Sequence, residues 1–367
     1  MTEPRRPTGP RSYREAGVDP SRVEAVLERI APRLRATFGD EVLSDLGSFA
    51  AAFRWPGDEE SVALATIDGV GTKTVVAARC GRWEGIGRDL VAHCANDLAV
   101  HGARPLFLLD YLGAARAEPE VFETLLASLA AACRDEGVAL LGGESAEMPG
   151  VYTPGQIDVV GCMVGVARRA ALRTGAGMQP GDVLLGLAAT GLHTNGYSLA
   201  RAVLLPDEEA GARFEPLLGT SRCEALLVPH RSYARSLRRL YDELGAQARG
   251  AAHITGGGIA ANLRRILAPG CGARLRRDRW PVPALIHLIA CEGELPWTEL
   301  ERTFHMGLGM IVCVAPEAAA GAARRLAAWG ETVYRVGEIV PGRGEVVLEG
   351  RYRPLAPGGP EPIVEPA

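Results

Sequence analysis

Apolar positions along this chain alternate between two periods, and each change of period marks a new element. Val23, Val26, Leu27, Ile30 and Leu34 recur at helical spacing behind Asp19-Pro20, an N-cap with proline at the first helical position. Residues 46–53 and 62–67 read as short apolar strands. Residues 86–101 read as a two-faced helix, with Ile86, Leu90, Cys94 and Leu98 on the apolar side. Asp89, His93, Asp97 and His101 form its polar stripe, with Asn96 beside it. A continuous apolar strand at 105–112, a helix at 118–136 closed by Gly137, and strands at 138–141 and 158–166 follow.

The second half opens with a strand at 181–187 and a helix from about residue 195. A loop at 206–222 leads into mostly helix over 224–244, and 253–262 is a strand–glycine–helix junction. A helix at 283–289, with Trp280 as its packing anchor, precedes a strand at 310–314, a helix at 317–329 and a strand at 333–339. This order predicts an α/β (α+β) fold in two domains. The expected boundaries are an N-terminal arm at 1–19, a first domain at 20–170, a second at 171–340, and a Gly/Pro-rich, mostly disordered tail at 341–367.

Four glycine-rich polar loops each follow an apolar strand, at 68–73, 142–150, 190–198 and 255–258. Loops at strand ends on a rigid scaffold are where sites are built. The first runs Asp68-Gly69-Val70-Gly71-Thr72-Lys73, and Lys73 is the only lysine among 40 basic residues. A position that resists replacement by arginine suits a compact ammonium, so Lys73 is expected beside a phosphate, with Asp68 on a metal. Thr72 separates the last glycine from Lys73, so this is not a P-loop. The fourth loop fits G-x-G-x-x-A, but its strand is short and no run of βαβ units follows; a backbone phosphate clamp is the reading. The polar stripe at 89–101 reads first as a solvated face. Its paired carboxylates also suit a Mg²⁺–nucleotide site under the first loop. Zinc is not expected there, because no Cys or His partner lies nearby in the sequence.

Composition narrows the classes. A net charge of −4 over 367 residues gives no argument for nucleic-acid or membrane binding. The eight cysteines are scattered without CxxC pairs and read as small buried hydrophobes. With no apolar leader near the N-terminus, a reducing cytoplasm is the expectation.

In order, the motifs resemble the phosphoribosylformylglycinamidine cyclo-ligase family, from Ser12-Tyr13-Arg14-Glu15-Ala16-Gly17-Val18-Asp19 to about Gly337. They are Asp68 to Lys73; Asp89-Leu90-Val91-Ala92 with Asn96-Asp97-Leu98; and Gly102-Ala103 through Pro105 to Leu109-Asp110-Tyr111. Next come Gly142-Gly143-Glu144-Ser145-Ala146-Glu147-Met148-Pro149-Gly150 and Gly191-Leu192-His193-Thr194-Asn195-Gly196-Tyr197-Ser198. His253 to Gly258, and Arg302-Thr303-Phe304 with Met306-Gly307, complete the set.

The resemblance implies an N-terminal α/β domain whose sheet pairs across a homodimer, then a C-terminal α/β sandwich-like domain. It implies cyclisation of formylglycinamidine ribonucleotide to aminoimidazole ribonucleotide with ATP and Mg²⁺, through an iminophosphate, in purine biosynthesis. Carried over by motif, Lys73, Asp97 and His193 would be catalytic. Asp68, Gly69, Gly71, Thr72, Lys73, Asn96, Asp97, Gly143, Glu144 and Glu147 would bind the nucleotide, with Asp68, Asp97 and Glu144 on the metal. His193, Asn195, Ser198, Gly256, Gly257 and Gly258 would face the substrate.

The chain departs from the family pattern at Arg88 and His93, at 20–22, in the segment 229–235, at Ala261 and at His305. Two other readings follow from those departures: an enzyme of the same superfamily that activates a different amide, and a nucleotide-binding paralogue without activity.

Overall fold

A computed structural model describes residues 9–353 of the chain. The first half contains helix α1 (Pro20–Arg35), strands β1 (Ala51–Arg54) and β2 (Ser61–Gly69), and helices α2 (Lys73–Cys80) and α3 (Ile86–Ala99). Strand β3 (Arg104–Ala114), helix α4 (Pro119–Glu136) and strands β4 (Ala139–Glu147) and β5 (Ile157–Arg168) complete it. The sheet order is β1-β2-β5-β3-β4, antiparallel except for the β3–β4 pair. β2, β3 and β4 therefore run the same way and end at one edge of the sheet.

The second half contains β6 (Val183–Ala188), α5 (Tyr197–Leu204), the small hairpin β7 (Phe214–Glu215) and β8 (Thr220–Ser221), α6 (Arg222–Leu226) and α7 (Ala234–Leu244). Strand β9 (Ala248–His253), helix α8 (Gly258–Arg264), strand β10 (Cys271–Arg276) and helices α9 (Ala284–Glu292) and α10 (Trp297–Thr303) follow. Strand β11 (Leu308–Val314), helix α11 (Ala319–Ala328) and strands β12 (Val333–Pro341) and β13 (Val346–Glu349) end it. These strands form a second sheet in the order β13-β10-β12-β6-β11-β9.

α3 holds the halves together. Every residue of it except Arg88 is buried. Leu90, Cys94 and Leu98 sit in the core beside Met163 and Leu108 of the first sheet. Gly161 of β5 makes the close approach possible, since a Cβ there would lie 2.9 Å from Leu90 Cδ2. The opposite side of α3 meets α7 and the loops of the second half. The polar stripe is therefore an internal seam and not a solvated face. An apolar stripe predicts one packed side; it carries no sign of a second partner from a distant part of the chain.

Other expectations are also corrected. Residues 142–147 continue β4 and are not loop. The stretch 224–244 is two helices, broken at 227–233 around Pro229, which has no N–H for a helix ladder. Part of the expected tail forms β13, parallel to β10. Cys80 and Cys223 are joined in a disulfide between α2 and α6, 143 residues apart, rather than standing as separate buried thiols. Residues 1–8 of the arm and 354–367 of the tail lie outside the described residues. No described helix is long and apolar enough to cross a membrane.

Candidate active site

The first glycine loop ends β2 and starts α2, and it is pinned from the second half. Lys73 Nζ donates to Asp89 Oδ1 at 2.8 Å, to Val228 O at 2.7 Å and to His193 O at 3.2 Å. All three ammonium protons are used inside the protein, and the side chain is fully buried. The expected phosphate contact is thus corrected: Lys73 turns inward and ties the loop to α3 and to two loops of the second half. Burial disfavours charge on both partners, lowering the lysine pKa and raising that of Asp89; their mutual attraction and hydrogen bonds offset it.

Asp68 remains at the surface of the site, with 37% of its side chain exposed. Its Oδ1 accepts the Gly69 N–H at 2.7 Å, and its Oδ2 meets His93 Nε2 at 2.8 Å. Burial works to raise its pKa, but the His93 ring outweighs this and holds it below the usual carboxylate value. From His93 a chain of contacts crosses the domain junction. His93 Nδ1 lies 2.8 Å from Thr194 Oγ1, which lies 3.4 Å from His230 Nδ1. His230 Nε2 lies 3.1 Å from His253 Nε2, and His253 Nδ1 lies 2.8 Å from Asp97 Oδ1.

Five of the seven histidines gather here. His193 stacks on His230 with ring centroids 3.9 Å apart, and His305 lies 4.9 Å from His193. Burial pushes His193, His230 and His253 below the ordinary imidazole pKa, and His305 down to about 4. His93 goes the other way. Burial alone would lower it, but Asp68, then Asp97 and Asp89, raise it to about 9. It is the imidazolium of the cluster.

Three of the four glycine loops converge at this seam. Thr72 Oγ1 meets Ser198 Oγ at 3.0 Å, which joins the first loop to the third. A Cβ on Gly256 would lie 3.0 Å from Asn195 Oδ1, so the fourth loop closes on the third. Asn96 accepts from Tyr233 N–H at 2.7 Å and donates to Arg231 O at 2.9 Å, bridging α3 to the 227–233 break. Gly69 follows Asp68 in the loop, and Gly71 takes a positive φ of 66°. Gly257 caps α8 with φ 87°, and a Cβ on Gly258 would strike Glu301 O, so Gly258 is required by packing. Ser198 and His193 are buried behind this surface.

The 142–150 loop does not join them. Asp68, Gly161, Asp110 and Gly143 form one cross-strand row on the α3 side of the sheet. Glu144 belongs to the next row, with Tyr111, Val160 and Gly69, so it points to the opposite face. It also lies three strand spacings from β2, about 14 Å. The structure thus does not bring Glu144 to Asp68 and Asp97 within one chain. Glu147 accepts the Ala117 N–H at 2.7 Å, a contact that shapes the turn before α4.

Asp68 and Asp97 still suit a hard cation. Each oxygen of Asp97 has a single hydrogen-bond partner, His253 at 2.8 Å or Thr66 at 3.4 Å, so each keeps a lone pair. One or two carboxylates are what Mg²⁺ takes from a protein when it also holds phosphates. Several residues of the seam escaped the sequence reading. Asp89, expected with Asp97 as a carboxylate pair for a Mg²⁺–nucleotide, is instead the buried partner of Lys73, and no role is expected from the sequence for His230 or Arg265. Arg265 sits 3.5 Å above the Phe49 ring and donates to Gly47 O at 3.0 Å, beside a cavity of about 490 Å³ that it lines with Ser48, Phe49 and His101. Its position two turns beyond the triple glycine, at the end of α8, is the available signal.

Two domain families match the chain: the AIR synthase related protein N-terminal domain at residues 47–167, and the C-terminal domain of the same family at 179–349. A phosphoribosylformylglycinamidine cyclo-ligase from an Anaeromyxobacter species is 44% identical over 340 residues, covering 92% of this chain and 98% of that protein. The Bordetella petrii protein of the same name is 41% identical over 336 residues, 91% of this chain and 95% of its own. Among solved structures, a HypE–HypF complex aligns with a TM-score of 0.63 at 19% identity, over 88% of this chain and 95% of that one. A hydrogenase maturation protein HypE in complex with ATP gives 0.59 at 19% identity, over 91% and 92%. The thiamine-monophosphate kinase of Stenotrophomonas maltophilia gives 0.58 at 19% identity, over 90% and 97%. At these identities the structural matches speak for the fold alone.

Proposed function

The chain belongs to the AIR synthase related family, and within it to the phosphoribosylformylglycinamidine cyclo-ligases, and from that premise we propose that it closes the imidazole ring of aminoimidazole ribonucleotide at the expense of ATP. An amide oxygen is a poor leaving group. Transfer of the ATP γ-phosphoryl group to it gives an iminophosphate, and ADP departs. The amidine nitrogen of the same substrate then attacks that carbon, phosphate leaves, and the ring nitrogen loses a proton. Holding the nitrogen against the activated carbon makes closure effectively unimolecular.

The observation that carries this reading is the meeting of three strand-end loops around Asp68 and Asp97 at the domain seam. Phosphoryl transfer needs positioning and charge neutralisation more than covalent help. Mg²⁺ held by Asp68 and Asp97 would supply the neutralising charge. The Gly69–Thr72 backbone would approach the phosphates, and the exposed Gly256 and half-buried Asn195 would line the substrate side. Arg265 is the guanidinium assigned to the ribonucleotide phosphate, as a flat fork on an aromatic ring. Lys73 and Asp89 act at one remove, by holding the loop in place.

The open face of the first sheet, where Ile67 and Leu141 are exposed, supports a homodimer. The test is release of ADP and phosphate by purified protein with ATP and Mg²⁺. Release that depends on formylglycinamidine ribonucleotide, with appearance of the aminoimidazole product, is expected. Nucleotide binding without that release would overturn the reading.

A further inference from the structure

We propose that His101 is a positioning residue for the substrate's phosphate: it clamps the turn on either side of Phe49 and, through the Phe49 ring, sets the guanidinium of Arg265. This role presupposes the ring-closing activity and belongs to the part of that site which holds the ribonucleotide phosphate. His101 is the last member of the polar stripe, two residues past the end of α3, and it is buried. Its Nδ1 lies 2.8 Å from Arg173 O; a carbonyl only accepts, so Nδ1 carries the proton. The Arg173 N–H donates back to His101 O at 3.0 Å, which fixes His101 to the segment between β5 and β6. Nε2 then offers its lone pair, and it accepts from Ser48 Oγ at 3.1 Å and from the Ala50 N–H at 3.3 Å. Burial and the Arg265 charge hold this imidazole below its ordinary pKa, in the neutral form that these bonds require.

Ser48 and Ala50 flank Phe49, so one ring nitrogen grips both sides of that residue. Phe49 is buried, and its ring meets His101 at a centroid distance of 6.4 Å and Arg265 Cζ at 3.5 Å. Arg265 spends Nε on Gly47 O at 3.0 Å and Nη1 on Asn262 Oδ1 at 3.2 Å. Among the described residues its Nη2 makes no hydrogen bond and no carboxylate pairs with it. A guanidinium that is stacked, oriented by two bonds and left without a counter-ion beside a cavity of about 490 Å³ is suited to receive an anion. Asp97 and Asp68 are near enough to act on its charge, so it belongs to the same site as the carboxylates assigned to Mg²⁺. An arginine side chain is ordinarily mobile, and fixing it before the ligand arrives lowers the entropy lost on binding. Both supports that fix it, Gly47 O and the Phe49 ring, lie in the turn that His101 clamps. Without His101 that turn loses two bonds.

The test is steady-state kinetics on the full chain, with formylglycinamidine ribonucleotide and Mg²⁺–ATP varied in turn. Calorimetry then compares binding of that ribonucleotide with binding of its dephosphorylated nucleoside. His101→Leu should raise KM for the ribonucleotide about tenfold, the worth of one hydrogen bond to a charged group, with kcat and KM for Mg²⁺–ATP little changed. It should weaken binding of the ribonucleotide and leave that of the nucleoside as it was. His101→Gln, whose side-chain carbonyl can accept the Ala50 N–H, should recover part of the loss. Ser48→Ala keeps the imidazole and should show a smaller loss. The double variant His101→Leu/Arg265→Leu should be no worse than Arg265→Leu alone, because a residue that acts through Arg265 then has nothing to act through. Equal losses for ribonucleotide and nucleoside, or additive losses in the double variant, would overturn the proposal. A wild-type KM in His101→Leu would overturn it too, and would leave the ring-closing activity standing. A wild-type chain that neither binds nor turns over the ribonucleotide would overturn both.

Discussion

Lys73 and Asp89 face each other at 2.8 Å with no solvent exposure of either side chain. The ammonium also caps two carbonyls of the second half, Val228 O and His193 O. Removing one partner of a buried pair leaves an uncompensated charge and costs about 3–5 kcal/mol, whereas replacing both with apolar groups costs much less. Lys73→Met and Asp89→Leu should each lower the unfolding free energy measured in urea by that order, and the double variant should recover part of the loss. Lys73→Arg should be destabilised as well, since a guanidinium is larger than the enclosed slot. A Lys73→Arg chain as stable as wild type would show that the ammonium is not a structural tie.

His93 Nε2 donates to the half-exposed Asp68 carboxylate. If Asp68 helps hold the Mg²⁺–nucleotide, His93 is a positioning residue for it. His93→Leu leaves the carboxylate free to turn. A charge-assisted hydrogen bond is worth about 1.5 kcal/mol or more, so KM for Mg²⁺–ATP should rise about tenfold. The rise should appear in KM more than in kcat, and His93→Gln should restore part of it by keeping an N–H. An unchanged KM with a fallen kcat would assign His93 another role.

The same cluster predicts how stability depends on pH. His93 has its pKa raised to about 9 in the folded chain, so its contribution is complete below the unfolded value of 6.5 and is lost as pH rises towards 9. His193, His230, His253 and His305 are lowered, so their contribution is complete above 6.5 and is lost as pH falls below it. Stability should therefore peak near neutrality and decline on both sides. In His93→Leu the alkaline decline should shrink while the acid decline remains. Equal declines in the variant and the wild type, followed by thermal melts across pH, would contradict this.

Much of this architecture is legible in residue order. The strand before Asp68, the α3 helix and the Gly137 stop all appear near their expected places. Lysine in an arginine-rich chain correctly singles out Lys73 as a special position. The direction in which it points is not legible, because its partners Val228 and His193 lie 155 and 120 residues away. The histidine cluster was hidden for the same reason. His93 and Thr194 are 101 residues apart, and Asp97 and His253 are 156 apart. Spacing rules read local sequence, and this cluster is assembled by packing. Strand register, which sends Glu144 to the opposite face from Asp68, is likewise decided by neighbours.

The Cys80–Cys223 bond joins the helix that follows the first glycine loop to the helix that precedes the 227–233 break. Such a link, closing a long loop, contributes about 2–4 kcal/mol to stability. Without reductant, iodoacetamide should modify the exposed Cys291 of the native chain and spare Cys80 and Cys223. Dithiothreitol should open both to alkylation and lower the denaturation midpoint. Cys223→Ser should show the lower midpoint from the start and should not respond to reductant. Alkylation of Cys80 in unreduced protein would mean that the bond is not present.

On the first sheet, Ile67, Cys162 and Leu109 form one cross-strand row on the face turned away from α3. Ile67 is 70% exposed and Leu141, on the edge strand, is 63% exposed. A monomer seldom leaves such a row open to water, and a flat apolar sheet face can cover itself by pairing with a second copy about a two-fold axis. Sedimentation of the wild-type chain should therefore give a dimer. Ile67→Glu puts a carboxylate into that contact and should shift the chain to monomer, and Leu141→Lys should act in the same direction. Phe214→Glu is the control, because Phe214 is equally exposed on the small hairpin of the second half, at 63%. A monomeric wild type, or a dimer untouched by Ile67→Glu and broken by Phe214→Glu, would move the interface away from this sheet.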